Sequence, residues 1–301
     1  MIAKRFAIAL VLVATVVPCV AQENTQIVAA GAQAKKLAGD FKFTEGPAAD
    51  AQGNVYFTDQ PNDRIMKWSV DGELTTYLQP CGRSNGLCFD REGHLWACAD
   101  EKNQLWRISP GKDVTVLIET HEGKLLNGPN DLWLRPDGGA YFTDPFYKRD
   151  YWARGETMEQ SCQGVYYLAP DRKTLARVID DLDQPNGIIG TPDGKTLYVT
   201  DIKAGKTYAY TILADGSLTG KTLFCEMGSD GMTIDNEGNV YLTGNGVFVF
   251  DKLGRQIDHI AIDEPWTANV SFGGRAMDEL FITASKALYR LRTRVKGAGS
   301  Q

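Results

Sequence analysis

Short runs of β-branched and aromatic residues recur along the chain, several of them directly after a Gly-containing turn. Six resemble one another: Val55-Tyr56-Phe57-Thr58-Asp59, Leu95-Trp96-Ala97-Cys98-Ala99, Ala140-Tyr141-Phe142-Thr143-Asp144, Leu197-Tyr198-Val199-Thr200-Asp201, Val240-Tyr241-Leu242-Thr243-Gly244 and Leu280-Phe281-Ile282-Thr283-Ala284. Each predicts a strand. Upstream of every run stands a polar residue at one phase: Glu45, Asn85, Asn130, Asn186, Asp230 and Asn269. These six lie 39 to 56 residues apart, and each precedes the end of its run by 14 or 15 residues. Further short strands follow downstream, as at 64–68 with 74–78 and at 104–108 with 114–118. The unit is a four-stranded antiparallel meander of about 40–45 residues, the size of one propeller blade. An ordinary β-sandwich does not explain a polar position recurring at fixed phase. The pattern therefore predicts an all-β fold, a six-bladed β-propeller with four-stranded antiparallel blades, as a single domain over residues 22–301. Residues 25–37 precede the first blade and are expected to include a strand that completes the last blade and closes the ring.

Residues 1–21 stand outside this pattern. Lys4 and Arg5 lead into an apolar run from Phe6 to Val17, and Pro18-Cys19-Val20-Ala21 follows. A basic start, a short apolar core and a small residue at the cut predict a secretory signal peptide, and so a secreted or periplasmic protein. The run is too short to span a bilayer comfortably, and no second run of spanning length follows it. The alternative is an uncleaved anchor. Composition adds exclusions. With 43% hydrophobic and 23% charged residues, the 301-residue chain is not a disordered one. Its net charge of −6 argues against nucleic acid or an anionic membrane as the main partner. Of six cysteines, Cys19 leaves with the signal; the rest have no close regular spacing and form no disulfide framework, although one or two bridges would fit an exported protein. No CxxC occurs, so a zinc-thiolate site is not expected.

In a propeller the first strand of each blade lines the central channel, so residues at equivalent phase form one ring. Taken singly, Asn85-Gly86 reads as a turn pair. Taken together, the six positions include Glu45 and Asp230, which turns do not require. Two carboxylates and several amide oxygens, with no His or Cys among them, make a hard-oxygen environment suited to Ca²⁺, or less well to Mg²⁺ or Mn²⁺. A dication would also offset two like charges held close together. The loop 145–163 is the longest between strands and falls on the ring side. It carries Phe146, Tyr147, Tyr151, Trp152, Lys148, Arg149 and Arg154 and reads as a cover over the pocket, or else as a solvated insertion. Arg83 and Asn127 sit just before ring positions and could face a ligand there.

At these residues the chain resembles the SMP-30/gluconolactonase/luciferin-regenerating-enzyme family. The matching motifs are Thr44-Glu45-Gly46-Pro47, Pro129-Asn130-Asp131, Phe142-Thr143-Asp144-Pro145, Gln184-Pro185-Asn186-Gly187, Ser229-Asp230-Gly231, and Asn269 followed by Phe272-Gly273-Gly274. The resemblance covers about 37–291. It implies a six-bladed propeller holding one divalent metal ion in its channel, Ca²⁺ foremost, with Mg²⁺, Mn²⁺ or Zn²⁺ as alternatives. It also implies hydrolysis of sugar lactones. By motif position Glu45, Asn130, Asn186 and Asp230 match metal ligands, Asn130 matches a metal or substrate contact, and Asp230 matches the catalytic acid-base residue. Asn85, Arg83, Asn127, Phe146 and Tyr147 are the further substrate-binding candidates. Some relatives carry Arg two residues before the Asn130 equivalent, where this chain has Gly128.

The expected reaction is opening of an aldonolactone to the aldonic acid, with Asp230 as general base on a water. Direct attack by Asp230 as a nucleophile is the alternative. The expected partner is a small-molecule sugar lactone, and the expected assembly a monomer or dimer. Two competing readings stay open. One is another metal-dependent esterase or phosphotriesterase on the same scaffold, for which channel histidines would speak; the chain has only His94, His121 and His259. The other is a non-catalytic secreted propeller that binds a protein or glycan, which an apolar plug in the channel would favour. No GxSxG motif supports a Ser-His-Asp triad.

Overall fold

A computed structural model describes residues 27–299. The signal segment 1–21 lies outside the described residues. Six four-stranded antiparallel sheets form the blades of a propeller. Blade 1 runs through Thr44–Ala49, Val55–Asp59, Arg64–Trp68 and Leu74–Leu78. Blade 2 begins at Leu87–Phe89, blade 3 at Leu132–Leu134, blade 4 at Pro185–Gly190, blade 5 at Met232–Ile234 and blade 6 at Thr267–Gly273. The outermost strand of blade 6 is Lys35–Ala38, paired antiparallel with Ala287–Arg292, so the start of the chain closes the ring as expected. Among the described residues no helix is long and apolar enough to cross a membrane.

The repeated apolar runs are the second strands of the blades. Those at Val55–Asp59, Leu95–Ala99 and Ala140–Asp144 are buried along their whole length. Each is covered on both faces by neighbouring blades, which is why it reads as a continuous apolar run and not as an alternation. The outermost strands Leu74–Leu78 and Val114–Ile118 are largely exposed. The core accordingly lies between blades. Tyr56 and Ile65 of blade 1 meet Leu87, Leu95 and Ile108 of blade 2, and Phe57 meets Phe281 and Leu288 across the closing seam.

The Thr-Asp pair that ends several of these strands positions the ring. The buried hydroxyls of Thr58, Thr200 and Thr243 donate to carbonyls of the next blade, at Asn85 (3.2 Å), Ser229 (2.7 Å) and Ala268 (2.8 Å). Each acceptor is a ring residue or the residue before it. The aspartates hold the approach to the ring within their own blade. Asp144 accepts from the backbone N–H of Asn127 (2.9 Å) and Gly128 (2.8 Å), and Asp201 from those of Asp183 (2.8 Å) and Gln184 (3.1 Å).

The glycines after ring residues have a different cause from the one their sequence suggests. Asn85-Gly86 is not a turn pair. A Cβ on Gly86 would stand 2.7 Å from the Asn130 carbonyl oxygen, and one on Gly231 would stand 2.0 Å from the Asn269 side chain. These positions lack side chains because adjacent first strands converge there toward the axis. The five described cysteines are all free thiols, so the described fold contains no disulfide.

Candidate metal and catalytic site

Glu45, Asn186 and Asn269 lie within first strands, while Asn85, Asn130 and Asp230 lie two residues before theirs. All are buried except Asp230, which keeps partial exposure. The structure brings Asp230, Asn186 and Glu45 into one electrostatic group. Asn186 Nδ2 donates to Asp230 Oδ1 at 3.0 Å and to the Tyr147 hydroxyl at 2.7 Å. Trp266 Nε1 donates to Asp230 Oδ2 at 2.7 Å, so both carboxylate oxygens are fixed. Glu45 Oε2 accepts the Gly46 N–H at 3.0 Å.

Burial, and then the charge of Asp230, push the Glu45 carboxyl well above the usual range; the Gly46 N–H and Arg149 oppose this. Burial also raises Asp230, against the pull of Trp266, Arg149 and Asn186. Two acids that each resist ionisation beside the other make a place where a dication would be stabilised. The amides support the same conclusion. Asn186 uses its Nδ2 twice, and its buried Oδ1 has no partner. The buried Asn130 Nδ2 is also unpartnered, and a half-turn of that amide would present its oxygen instead. An unpaired buried amide oxygen carries a desolvation cost that a cation would remove. The residues present therefore fit a hard divalent ion.

The remaining candidates are divided between the site and its scaffold. Asn269 Oδ1 accepts the Val270 N–H (2.8 Å), which ties that amide to its own strand. Asn85 donates its backbone N–H to Cys98 (2.9 Å), and its carbonyl receives the Thr58 hydroxyl. Asn127 Nδ2 donates to the carbonyls of Asp144 (3.0 Å) and Cys162 (2.9 Å), fastening both ends of the loop 145–163. The Arg83 guanidinium binds Glu101 (3.0 Å) and the Pro61 carbonyl beneath the Tyr151 ring. Phe146 donates its N–H to Gln163 (2.7 Å), and its ring lies 5.7 Å from the Arg154 guanidinium.

The loop 145–163 crosses the mouth of the ring as a cover. Tyr147 reaches Asn186 of blade 4, while Tyr151 donates to Gln60 (3.0 Å) in the turn between the second and third strands of blade 1. Arg154 pairs with Asp100 (3.3 Å) in the equivalent turn of blade 2, and the Ala153 N–H donates to Glu101 (3.1 Å) there. Gly128 makes room for this latch. A Cβ there would stand 2.3 Å from both Arg154 Nη1 and Asp100 Oδ1, so a larger residue would displace the pair.

The family model described as an SMP-30/gluconolactonase/LRE-like region matches residues 43–286. The chain belongs to that family. Among its relatives is a gluconolactonase of Zymomonas mobilis, 29% identical over 292 residues, covering 87% of this chain and 81% of that one. The crystallised gluconolactonase of Xanthomonas campestris is 30% identical with a TM-score of 0.83, covering 89% of this chain and 91% of that one. Regucalcin of Agrobacterium tumefaciens, described as a calcium-binding protein, is 20% identical with a TM-score of 0.72, covering 87% and 93%; it shows the shared fold.

Two features of this family member lie beyond its sequence motifs. Trp266 was not singled out among the candidates, although a tryptophan three residues before ring position 269 was a usable signal. The channel below the ring holds a cavity of about 360 Å³, walled by Leu87, Leu132, Ile188, Met232, Val270 and Phe272 and extending toward the opposite face. It is not plugged, and besides these apolar side chains Asp131 and Asn269 line it beneath the acids. None of the three histidines joins them. His94, with Asp90 and Glu92, lies at the far end of blade 2, where Arg107 contacts all three side chains at 2.6–2.8 Å. That acidic cluster already has its cation.

The latch also predicts a pH effect. Burial raises the Asp100 carboxyl from 3.8 to about 7, with Arg154 opposing. Between those values the folded chain holds a proton that the unfolded chain has released. Stability therefore falls as pH rises through this window, by up to about 1.4 kcal/mol per unit for one such group. Thermal melts at pH 5 and pH 8 are expected to show the lower melting temperature at pH 8, and Asp100→Asn is expected to narrow the difference. An unchanged difference in the variant would show that Asp100 does not titrate there.

Proposed function

We propose that the chain is an exported, metal-dependent hydrolase of sugar lactones, with Asp230 as general base. The observation that carries this reading is the meeting of Asp230, Glu45 and an unpartnered Asn186 amide oxygen beneath an aromatic-lined cover. The gluconolactonases of Zymomonas and Xanthomonas support the substrate class. Glu45, Asn186 and Asp230, with Asn130 beside them, would hold the cation, Ca²⁺ foremost. When bound, it would supply Lewis-acid polarisation of the lactone carbonyl.

The chain's own residues then have defined tasks. Tyr147 and Trp266 stand beside Asn186 and Asp230. Both also fix the polar groups they touch, so substrate meets a preorganised site. Asp230 accepts a proton from water as the water oxygen attacks the carbonyl carbon. The ring C–O bond breaks, and the same proton is returned to the departing ring oxygen. The product is an open-chain hydroxy acid. A lactone is already an activated ester, so a modest base suffices. Trp266 and Asn186 keep the Asp230 carboxylate oriented between these transfers.

The test is a proton-release assay on purified protein with Ca²⁺, offering gluconolactone, galactonolactone, xylonolactone and an aryl ester. Turnover of at least one sugar lactone in clear preference to the aryl ester is expected. Turnover of none of the lactones, or of the aryl ester alone, would refute the reading.

A further inference from the structure

The cover carries a cation that no carboxylate of the described residues pairs with. Its other guanidinium, Arg154, is engaged with the Asp100 carboxylate (3.3 Å) and the carbonyls of Asp100 (2.6 Å) and Tyr147 (3.0 Å). Lys148 is exposed. Arg149 is different. Its Nε is buried without a partner, and among the described residues its guanidinium has aromatic neighbours in place of a carboxylate. It lies 4.8 Å from the centre of the Tyr147 ring and 5.8 Å from that of Trp152. The hydroxyl of the same Tyr147 touches Asn186, which touches Asp230. Arg149 is thus one aromatic ring away from the site, and its charge favours the ionised forms of Glu45 and Asp230. An unpaired guanidinium held on two aromatic faces is oriented and keeps its donor fork available.

We propose that Arg149 is the carboxylate-binding residue of this site, which receives the negative charge that forms as the lactone opens. It meets the oxyanion of the tetrahedral state and then the carboxylate of the ring-opened acid, both of which suit a planar donor fork. This rests on the lactone reading above. It also separates the cover's two arginines: Arg154 holds the cover to blade 2, and Arg149 faces the ligand.

The experiment is a calorimetric titration of gluconate, the open-chain product, into the Ca²⁺-loaded protein. Wild type is expected to bind, and Arg149→Gln to bind about 10- to 100-fold more weakly, the loss of a charge-assisted contact. Arg149→Lys keeps the charge without the fork and is expected to fall between them. Lys148→Gln, a change to an exposed neighbour, is expected to match wild type. Melting temperatures check that each variant is folded. Equal gluconate affinity in wild type and folded Arg149→Gln overturns the assignment, as does absence of gluconate binding by wild type. The two readings fail separately. Lactone turnover with Arg149-independent gluconate binding removes this inference alone. Arg149-dependent gluconate binding without lactone turnover removes the hydrolase reading and retains Arg149 as an anion site.

Discussion

Asp230→Asn is expected to lower kcat/KM for the best lactone about 10³-fold or more, in the upper part of the range for loss of a general base. The amide cannot accept the water proton, and it replaces one of two carboxylates that would hold the cation. Nor does it replace the geometry. Asp230 accepts from Trp266 on one oxygen and from Asn186 on the other, whereas an amide has one oxygen and would turn N–H groups toward one of these donors. Loss of turnover also follows if Asp230 attacks directly. The variant carries a second signature that an unfolded protein would lack. In metal-free protein, the charge of Asp230 helps push the Glu45 carboxyl up. Removing it relieves that repulsion and offsets the hydrogen bond lost to Trp266 or Asn186, so metal-free Asp230→Asn is expected to melt close to metal-free wild type. Steady-state kinetics and paired thermal melts check both statements. Retained turnover in a metal-loaded variant would exclude both roles for Asp230.

Glu45→Gln is expected to weaken Ca²⁺ binding by about 100-fold or more and to remove activity with it. Glu45 is buried on the first strand of blade 1, and no basic side chain forms an ion pair with it among the described residues. Ligand binding to the folded state raises stability by RT ln(1 + [L]/Kd). A 100-fold weaker site therefore loses up to about 2.7 kcal/mol of Ca²⁺-dependent stabilisation when calcium is saturating for wild type. Thermal melts with and without Ca²⁺ read this without reference to catalysis. A wild-type shift retained in the variant would place the cation elsewhere.

Much of this was legible in the chain because strands and phase are local properties. Val55–Asp59 and Ala140–Asp144 have the bounds that their apolar runs predict. Glu45, Asn186 and Asp230 came from a fixed distance to such runs, and the propeller turns equal phase into equal height on the axis. What stayed hidden depends on packing between elements. Gly86 resembles half of a turn, but its missing side chain answers to the carbonyl of the next blade. The sequence puts Arg83 and Asn127 just before ring positions, and their side chains hold the cover and its ends. Sequence position assigns a loop residue to a face and leaves its direction open. For the same reason the contact of Trp266 with Asp230 and the seat of Arg149 on the Tyr147 and Trp152 rings belong to the fold and not to the sequence.

The most direct test is to strip the wild-type protein with a chelator and restore Ca²⁺ in steps, following bound metal by equilibrium dialysis and lactone turnover in the same samples. The account predicts an inactive stripped protein whose turnover rises in proportion to a single bound cation per chain, with no such rise in Glu45→Gln. Full turnover by the metal-free wild type would contradict it.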